Sequence, residues 1–483
     1  MARDEASRDA LVVEPEPRFE LSPYLYMQFM EPLGVANGST DIAWDYAGDE
    51  WREDFIELAR ALGPRLVRWP GGCFSSYYRW REGVGERRPT RNLLWGGMES
   101  NRIGTHEYIE FCRRVGADPM IAVNFKSDGR EHWAHPPEGG ERSAGPEEAA
   151  AWVDYCNNPD NAERIHNGAP EPFGGRLWQI GNETSYDENG YDCETTARRT
   201  VAFAEAMRRA DPDIELVGWG DSGWAPRVLE VAGDHLQYLA FHHHFRSALN
   251  DSPLHDTAYR EDPERTWEHF MSAWQSTDQC LNRMREQVAG WDGALALTES
   301  HFSMRGRNRC EAQSTWAAGV ANARVLNVHA RHGDILKIAT LGDFCGNKWM
   351  NNVLMVPSPW TCYMMPVGSV IALFRAHSGE RALTVVDVPE GLDVTASRTG
   401  DRVFLHVVNT RRTKAVEAEL SVPGRRVESA RVWQTAADPE LEVMETRPDA
   451  FAPTEHEVTA DSTWTFPAAS VSAVEVLLDS QSP

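Results

Sequence analysis

Lysine is nearly absent from this 483-residue chain: four of its 48 basic residues are Lys (Lys126, Lys337, Lys348, Lys414), and 73 acids outnumber the bases. The resulting net charge of −25 repels polyanions, so neither nucleic acid nor an anionic membrane is expected as a partner. Paired cysteines are missing too. The eight (Cys73, Cys112, Cys156, Cys193, Cys280, Cys310, Cys345, Cys362) are scattered without a Cys-x-x-Cys motif, as free thiols in a reducing compartment would be. No stretch approaches the roughly 18 continuous apolar residues of a membrane span. The start, MARDEASRDALVVEPEPRFEL, is charged from residue 3 and lacks an apolar secretory core, which points to a cytoplasmic protein. No Gly-x-Gly-x-x-Gly follows the first strand candidate, so the dinucleotide-binding form of an open α/β sheet is disfavoured.

What is present is a chain of 54.3 kDa, 41% hydrophobic, long enough for one large domain and a smaller one. Tryptophan, at 18, exceeds both Phe (17) and Tyr (12), and indole faces stack well on flat ligands such as sugar rings. Near-continuous apolar runs at 24–30, 65–69, 119–124, 177–181, 215–219, 238–244, 294–298 and 335–341 alternate with amphipathic segments. Buried parallel strands read this way. Helices are marked at 105–115, with Thr105 as cap, and at 194–210, closed by Asp211-Pro212. Eight such units predict an α/β fold, a (β/α)8 TIM barrel over residues 24–375. Beyond residue 376 short strand-like runs and turn residues predict an antiparallel β-sandwich over 376–483, to which residues 1–23 could add a strand. A Pro/Gly-rich stretch, 134–146, is placed on a loop of the barrel's active face.

Barrel active sites lie at the C-terminal ends of the strands. Strand four ends in Asn182-Glu183 and strand seven in Glu299, which sets two carboxylates across the mouth from each other. Glycosidic-bond cleavage needs such a pair, one to protonate the leaving oxygen and one to meet positive charge at the anomeric carbon.

With Arg68-Trp69-Pro70-Gly71-Gly72-Cys73-Phe74, the run 101–124, AWVDYCN at 151–157 and QIGNE at 179–183, the chain resembles the α-L-arabinofuranosidases of glycoside hydrolase family 51. These belong to a clan of retaining (β/α)8 glycosidases. The resemblance implies a retaining exo-glycoside hydrolase that releases a terminal furanose, foremost α-L-arabinofuranose, with Glu183 as acid/base and Glu299 as nucleophile. It implies that Arg68 donates to Glu299 and that Asn182 holds the sugar 2-hydroxyl. Glu31 would bind distal hydroxyls, Cys73 and Trp95 would line the subsite, and Trp69 would border it. It further implies no cofactor or catalytic metal, a carbohydrate substrate and a possible homo-oligomer.

Three departures bear on the glycone. Where the family has Asp-Glu-Trp the chain has Thr298-Glu299-Ser300-His301; where it has Ser-Leu-His-Tyr-Tyr the chain has Ala240-Phe241-His242-His243-His244; and Asp343 stands near a family glutamine. His242 keeps the family histidine, and His244 replaces a tyrosine that orients the nucleophile. An unperturbed imidazole there would tie activity to pH. His242 and His244 share a strand face, an arrangement a metal could use with a third ligand. The glycone therefore stays open to galactofuranoside, D-arabinofuranoside or xyloside, and a non-catalytic sugar-binding relative is a further alternative.

Overall fold

The computed structural model describes residues 10–86, 88–93, 95–125, 144–186, 191–303, 312–358, 361–459 and 463–479. Eight parallel strands form one sheet: Gln28–Phe29, Leu66–Trp69, Asp118–Val123, Leu177–Ile180, Glu215–Trp219, Tyr238–Phe245, Ala294–Phe302 and Leu336–Ala339. They are barrel strands one to eight below. A parallel bridge between Met27 and Thr340 closes the ring, with the Met27 N–H donating to the Ala339 carbonyl at 2.9 Å. Helices follow the strands in the expected alternation, from Glu53–Leu62 to Pro366–Ala376. The fold class read from the sequence is the one observed.

The side-chain period of two sorts every strand. Met27, Leu66, Met120, Leu177, Val217, Ala240, Ala296 and Ile338, one from each stave, pack inside the barrel as a single apolar layer. The intervening positions, among them Val67, Trp69, Ile121, Trp178, Leu239 and Leu297, face outward into the larger core beneath the helices. One step nearer the mouth four of the inward residues are polar and stay buried: Arg68, Gln179, His242 and Thr298, beside the apolar Trp219. This layer is the floor of the site. The alternation also corrects the placing of Trp69 at the pocket: it points outward, stacked on Tyr108 at 5.0 Å, because its neighbour Arg68 takes the inward position.

Local signals were met with small shifts. Helix Thr105–Val115 is capped by Gly104 rather than Thr105; the Glu107 carboxylate accepts from the Gly104 N–H at 2.9 Å, and the Thr105 hydroxyl accepts from Trp152 Nε1 at 3.0 Å. Helix Cys193–Ala210 starts on Asp192, whose side chain accepts from the Thr195 N–H. Residues 134–143 of the Pro/Gly-rich stretch, and Cys310, lie outside the described residues; the seven described cysteines form no disulfide with one another. After strand eight the chain adds a small sheet the sequence did not announce, Asp343–Gly346, Asn352–Ser358 and Thr361–Met364. Among the described residues no helix is long and apolar enough to cross a membrane.

The C-terminal strands, joined by Ala10–Glu20, make one nine-stranded sheet around a core that includes Leu11, Val13, Leu405, Val432, Phe466 and Val476. The two layers expected of a sandwich are therefore hydrogen-bonded into a single curled sheet. One of its pairings is parallel, Ala10–Glu20 with Val416–Ser421. The sheet is tied to the barrel through Asp393. Its carboxylate accepts from Arg324 Nε at 2.9 Å, from Asn327 Nδ2 at 3.1 Å and from Arg331, all on helix Trp316–Arg331. Burial pushes this carboxyl up, but Arg331 and Arg324 outweigh it and hold it below the usual range. A lowered folded pKa stabilises above the unfolded carboxylate value, near pH 4, and the contribution fades as pH falls through the folded value. Asp393→Asn is expected to cost about 3 kcal/mol in denaturant unfolding at pH 7, the low end for a broken buried pair because Arg331 is partly solvated. The difference from wild type should shrink below pH 4.

Candidate active site

Arg68 organises the floor. Its guanidinium is fully buried and must be paired to be tolerated there. Nη1 donates to Glu299 Oε1 at 3.0 Å, Nε to Gln179 Oε1 at 2.7 Å and Nη2 to Asn182 Oδ1 at 2.5 Å. A single cation thereby fixes one carboxylate and orients the Asn182 amide, whose Nδ2 is buried without a protein partner.

Plain alternation would not aim Glu299 inward. Leu297 faces out and Thr298 faces in, so the next residue should face out again. The ladder between strands six and seven slips at this point: Phe241 pairs with Leu297, but His242 pairs with Glu299. Two residues of strand seven thus oppose one of strand six, a bulge that lets both neighbours face the barrel interior. Thr298 Oγ1 meets His242 Nε2 at 3.0 Å, and Glu299 enters the pocket. Past the bulge the phase stays shifted. His301 faces in, its ring 4.3 Å from that of His244, while the Ser300 hydroxyl donates to the His243 carbonyl.

Glu183 reaches the same pocket by a backbone turn. Gly181 has φ +82°, and Glu183 itself has φ +52°. Left-handed backbone at a non-glycine residue costs about 1–3 kcal/mol and tends to be kept where a side chain must be aimed. Glu183 Oε1 lies 3.0 Å from His242 Nδ1, and the Cys73 thiol donates to Oε2 at 3.3 Å. One oxygen of Glu183, one of Glu299 and a ring nitrogen of His242 fall within 4.8 Å of one another. Glu31 is the third buried carboxyl. Its Oε1 accepts from the Phe74 N–H at 2.8 Å, and burial, followed by the Glu299 charge, pushes it well above the usual range.

Gly72 makes this crowding possible. A Cβ on it would lie 2.8 Å from Glu299 Oε1 and 2.8 Å from Glu31 Oε2. Gly72→Ala must displace one of the two, and a displacement near 1 Å at a reacting group costs roughly a hundredfold in rate. That loss, read as kcat with the unfolding midpoint little changed, is the expected outcome.

The pocket over these groups has a volume of about 150 Å³. Glu31, Cys73, Trp95, Glu183, His244, Glu299 and Asp343 line it, so seven of the ten residues singled out in the sequence meet there. Arg68, Asn182 and His242 support it from beneath through the contacts above. Phe29, Leu33, His301, Phe344 and Trp349 complete the wall and were not singled out as contacts. Asp343 is held by Asn351 Nδ2 at 3.0 Å. His301 became legible only through the bulge, and Trp349 only through the sheet after strand eight.

Two expectations for the histidines change. Burial, then the neighbouring His301, push His244 down to about 3, so it stays neutral across the range in which an ordinary imidazole would titrate. Its Nε2 is buried without a protein partner and does not bond Glu299. Among the described residues the compact His/carboxylate group is Glu183, His242 and Glu299, and none is built on His242 and His244 together. Arg68 already balances the charge of Glu299 in that group.

Residues 58–262 match the family described as the α-L-arabinofuranosidase 1 domain. An intracellular exo-α-(1→5)-L-arabinofuranosidase of Acetivibrio thermocellus is 33% identical over 266 residues, covering 48% of this chain and 47% of that protein. One of Streptomyces lividans is 36% identical over 247 residues, covering 47% and 35%. The matched part thus spans about half or less of these relatives' length. In fold the likeness is wider: the α-L-arabinofuranosidase of Thermotoga maritima, solved with arabinose, superposes with a TM-score of 0.78 over 97% of this chain and 100% of that one, at 24% identity. The chain is thus similar in sequence to α-L-arabinofuranosidases through the middle of the barrel, and shares their fold over nearly its whole length.

Proposed function

We infer that the chain is a retaining exo-glycoside hydrolase releasing a terminal furanose, foremost α-L-arabinofuranose. The observation that carries this is the distance between the two strand-end carboxylates, whose oxygens approach within 4.8 Å. Retaining glycosidases hold the pair about 5–5.5 Å apart, whereas inverting ones need about 6.5–9.5 Å to admit a water. The electrostatics divides the roles. Glu299, ion-paired to Arg68 at 3.0 Å, is the group oriented to attack the anomeric carbon. Glu183 sits against His242 Nδ1 at 3.0 Å and the Cys73 thiol at 3.3 Å, polar neighbours that suit a group that gives up and takes back a proton.

In the first step Glu299 bonds to the anomeric carbon as Glu183 gives its proton to the departing oxygen. In the second, Glu183 takes a proton from water, which displaces Glu299 and restores the original configuration. The free Asn182 Nδ2 is placed to donate to the 2-hydroxyl. A pocket of about 150 Å³ has room for one sugar ring, which supports release from a chain end. A cytoplasmic location is supported by the relatives' description as intracellular.

Methanolysis of an aryl α-L-arabinofuranoside, followed by proton NMR, tests the reading. The first product should be the methyl α-furanoside; the β-anomer would sink the retaining mechanism. Equal or greater turnover of aryl galactofuranoside, D-arabinofuranoside or xyloside would move the glycone. No turnover on any of them would favour a sugar-binding relative.

A further inference from the structure

At the end of the barrel opposite the carboxylates a cleft of about 730 Å³ opens between the barrel's underside and the C-terminal sheet. Its floor comes from residues that precede or begin barrel strands, Tyr24, Arg65 and Asp118, and its far wall from segments 378–385 and 394–397. Arg375, in the last turn of helix Pro366–Ala376, projects into it, with Nε buried and unpartnered. Burial, then the adjacent Arg65, depress the Arg375 guanidinium below its ordinary value. Arg65 has no ion-pair partner among the described residues. Two like charges side by side with no carboxylate on either are unfavourable unless an anion joins them, and they stand out on a chain of net charge −25. Of the acids lining the cleft, Asp118 is engaged by the Tyr24 hydroxyl at 2.6 Å, and Glu380 is exposed.

The rest of the lining is bipolar. The Tyr26 hydroxyl and Ser378 Oγ, 3.1 Å apart, add polar groups near Arg375, whereas Leu383, Val385 and Val394 give an apolar wall. The volume suits an organic molecule rather than a bare ion. We propose that this cleft binds a small organic anion, its carboxylate or phosphate held by Arg65 and Arg375 and its apolar body laid against Leu383, Val385 and Val394. Such a ligand would touch both domains at once and would not compete with a sugar at the mouth.

The test is titration of the full chain with benzoate and with phenyl phosphate, at ionic strength held constant with sodium chloride, followed by calorimetry and thermal unfolding. At least one probe should bind saturably and raise the unfolding midpoint; which one binds more tightly tells carboxylate from phosphate. Arg65→Gln, a change at an exposed residue, and Arg375→Gln should each weaken that binding about tenfold or more, the loss of one charge-assisted contact. Glu299→Gln should leave it unchanged. The proposal falls if neither probe shifts the midpoint beyond the chloride control, or if Arg65→Gln binds as wild type does. Lost binding in Glu299→Gln would place the anion at the mouth and overturn it. So would a changed sedimentation coefficient in Arg65→Gln, which would make the cleft a contact between copies of the chain.

Discussion

Glu299→Gln is expected to lower kcat/KM on an aryl α-L-arabinofuranoside by about 10⁴-fold or more, the scale seen when a covalent nucleophile is removed. The loss should be chemical and not a failure to fold. Removing this charge leaves Arg68 without its ion pair, which by itself would be costly. It also removes the Glu299 charge that, after burial, helps hold Glu31 above its usual range, so placing negative charge on Glu31 beside the guanidinium becomes less unfavourable. The two effects oppose, and the unfolding midpoint should move by only a few degrees. A sharper reading comes from Glu299→Ala with azide. Azide then occupies the vacated face and attacks once, giving a glycosyl azide of inverted configuration. A retained azide from this variant would contradict the assignment of Glu299.

Glu183→Gln should show the second largest effect, and its size should depend on the leaving group. For an alkyl or sugar leaving group, which needs a proton, the loss should be about 10²–10⁴-fold. For a dinitrophenolate, which departs unaided, the first step should be nearly unaffected, and the glycosyl-enzyme should accumulate as a burst because no base activates water. Azide on Glu183→Ala should give the retained product, the mirror of the outcome at position 299. If both alanine variants gave the same anomer, the division of labour drawn from Arg68, His242 and Cys73 would be wrong. His244, pushed down to about 3, should contribute nothing to either limb of the kcat/KM profile above pH 5.

Much of this was readable in the chain because the governing rule is short-range. Apolar runs bounded by turn residues marked all eight staves, and residues just past staves four and seven marked the carboxylates. The misses share a cause. Trp69 was expected to border the pocket, whereas the pleat sends it to the outer core. His301 was hidden because a ladder slip depends on the partner strand, which a single strand's pattern does not contain. The edge strand Thr454–Val458, with charged residues at 455 and 457, has no apolar face to announce it. The nine strands curl into one sheet because Ala10–Glu20 bridges segments about 370 and 410 residues away, a pairing no local window sees.

The extra residue in strand seven has a practical consequence for anyone comparing or redesigning this chain. It acts as a spatial frameshift. Before it, even-numbered side chains (296, 298) belong to the interior; after it, odd-numbered ones (299, 301) do. An alignment that carries the upstream rhythm through would assign the sugar-facing role to Ser300, whose hydroxyl is spent on the His243 carbonyl. A library meant to alter the glycone should vary 301 and leave 300 alone.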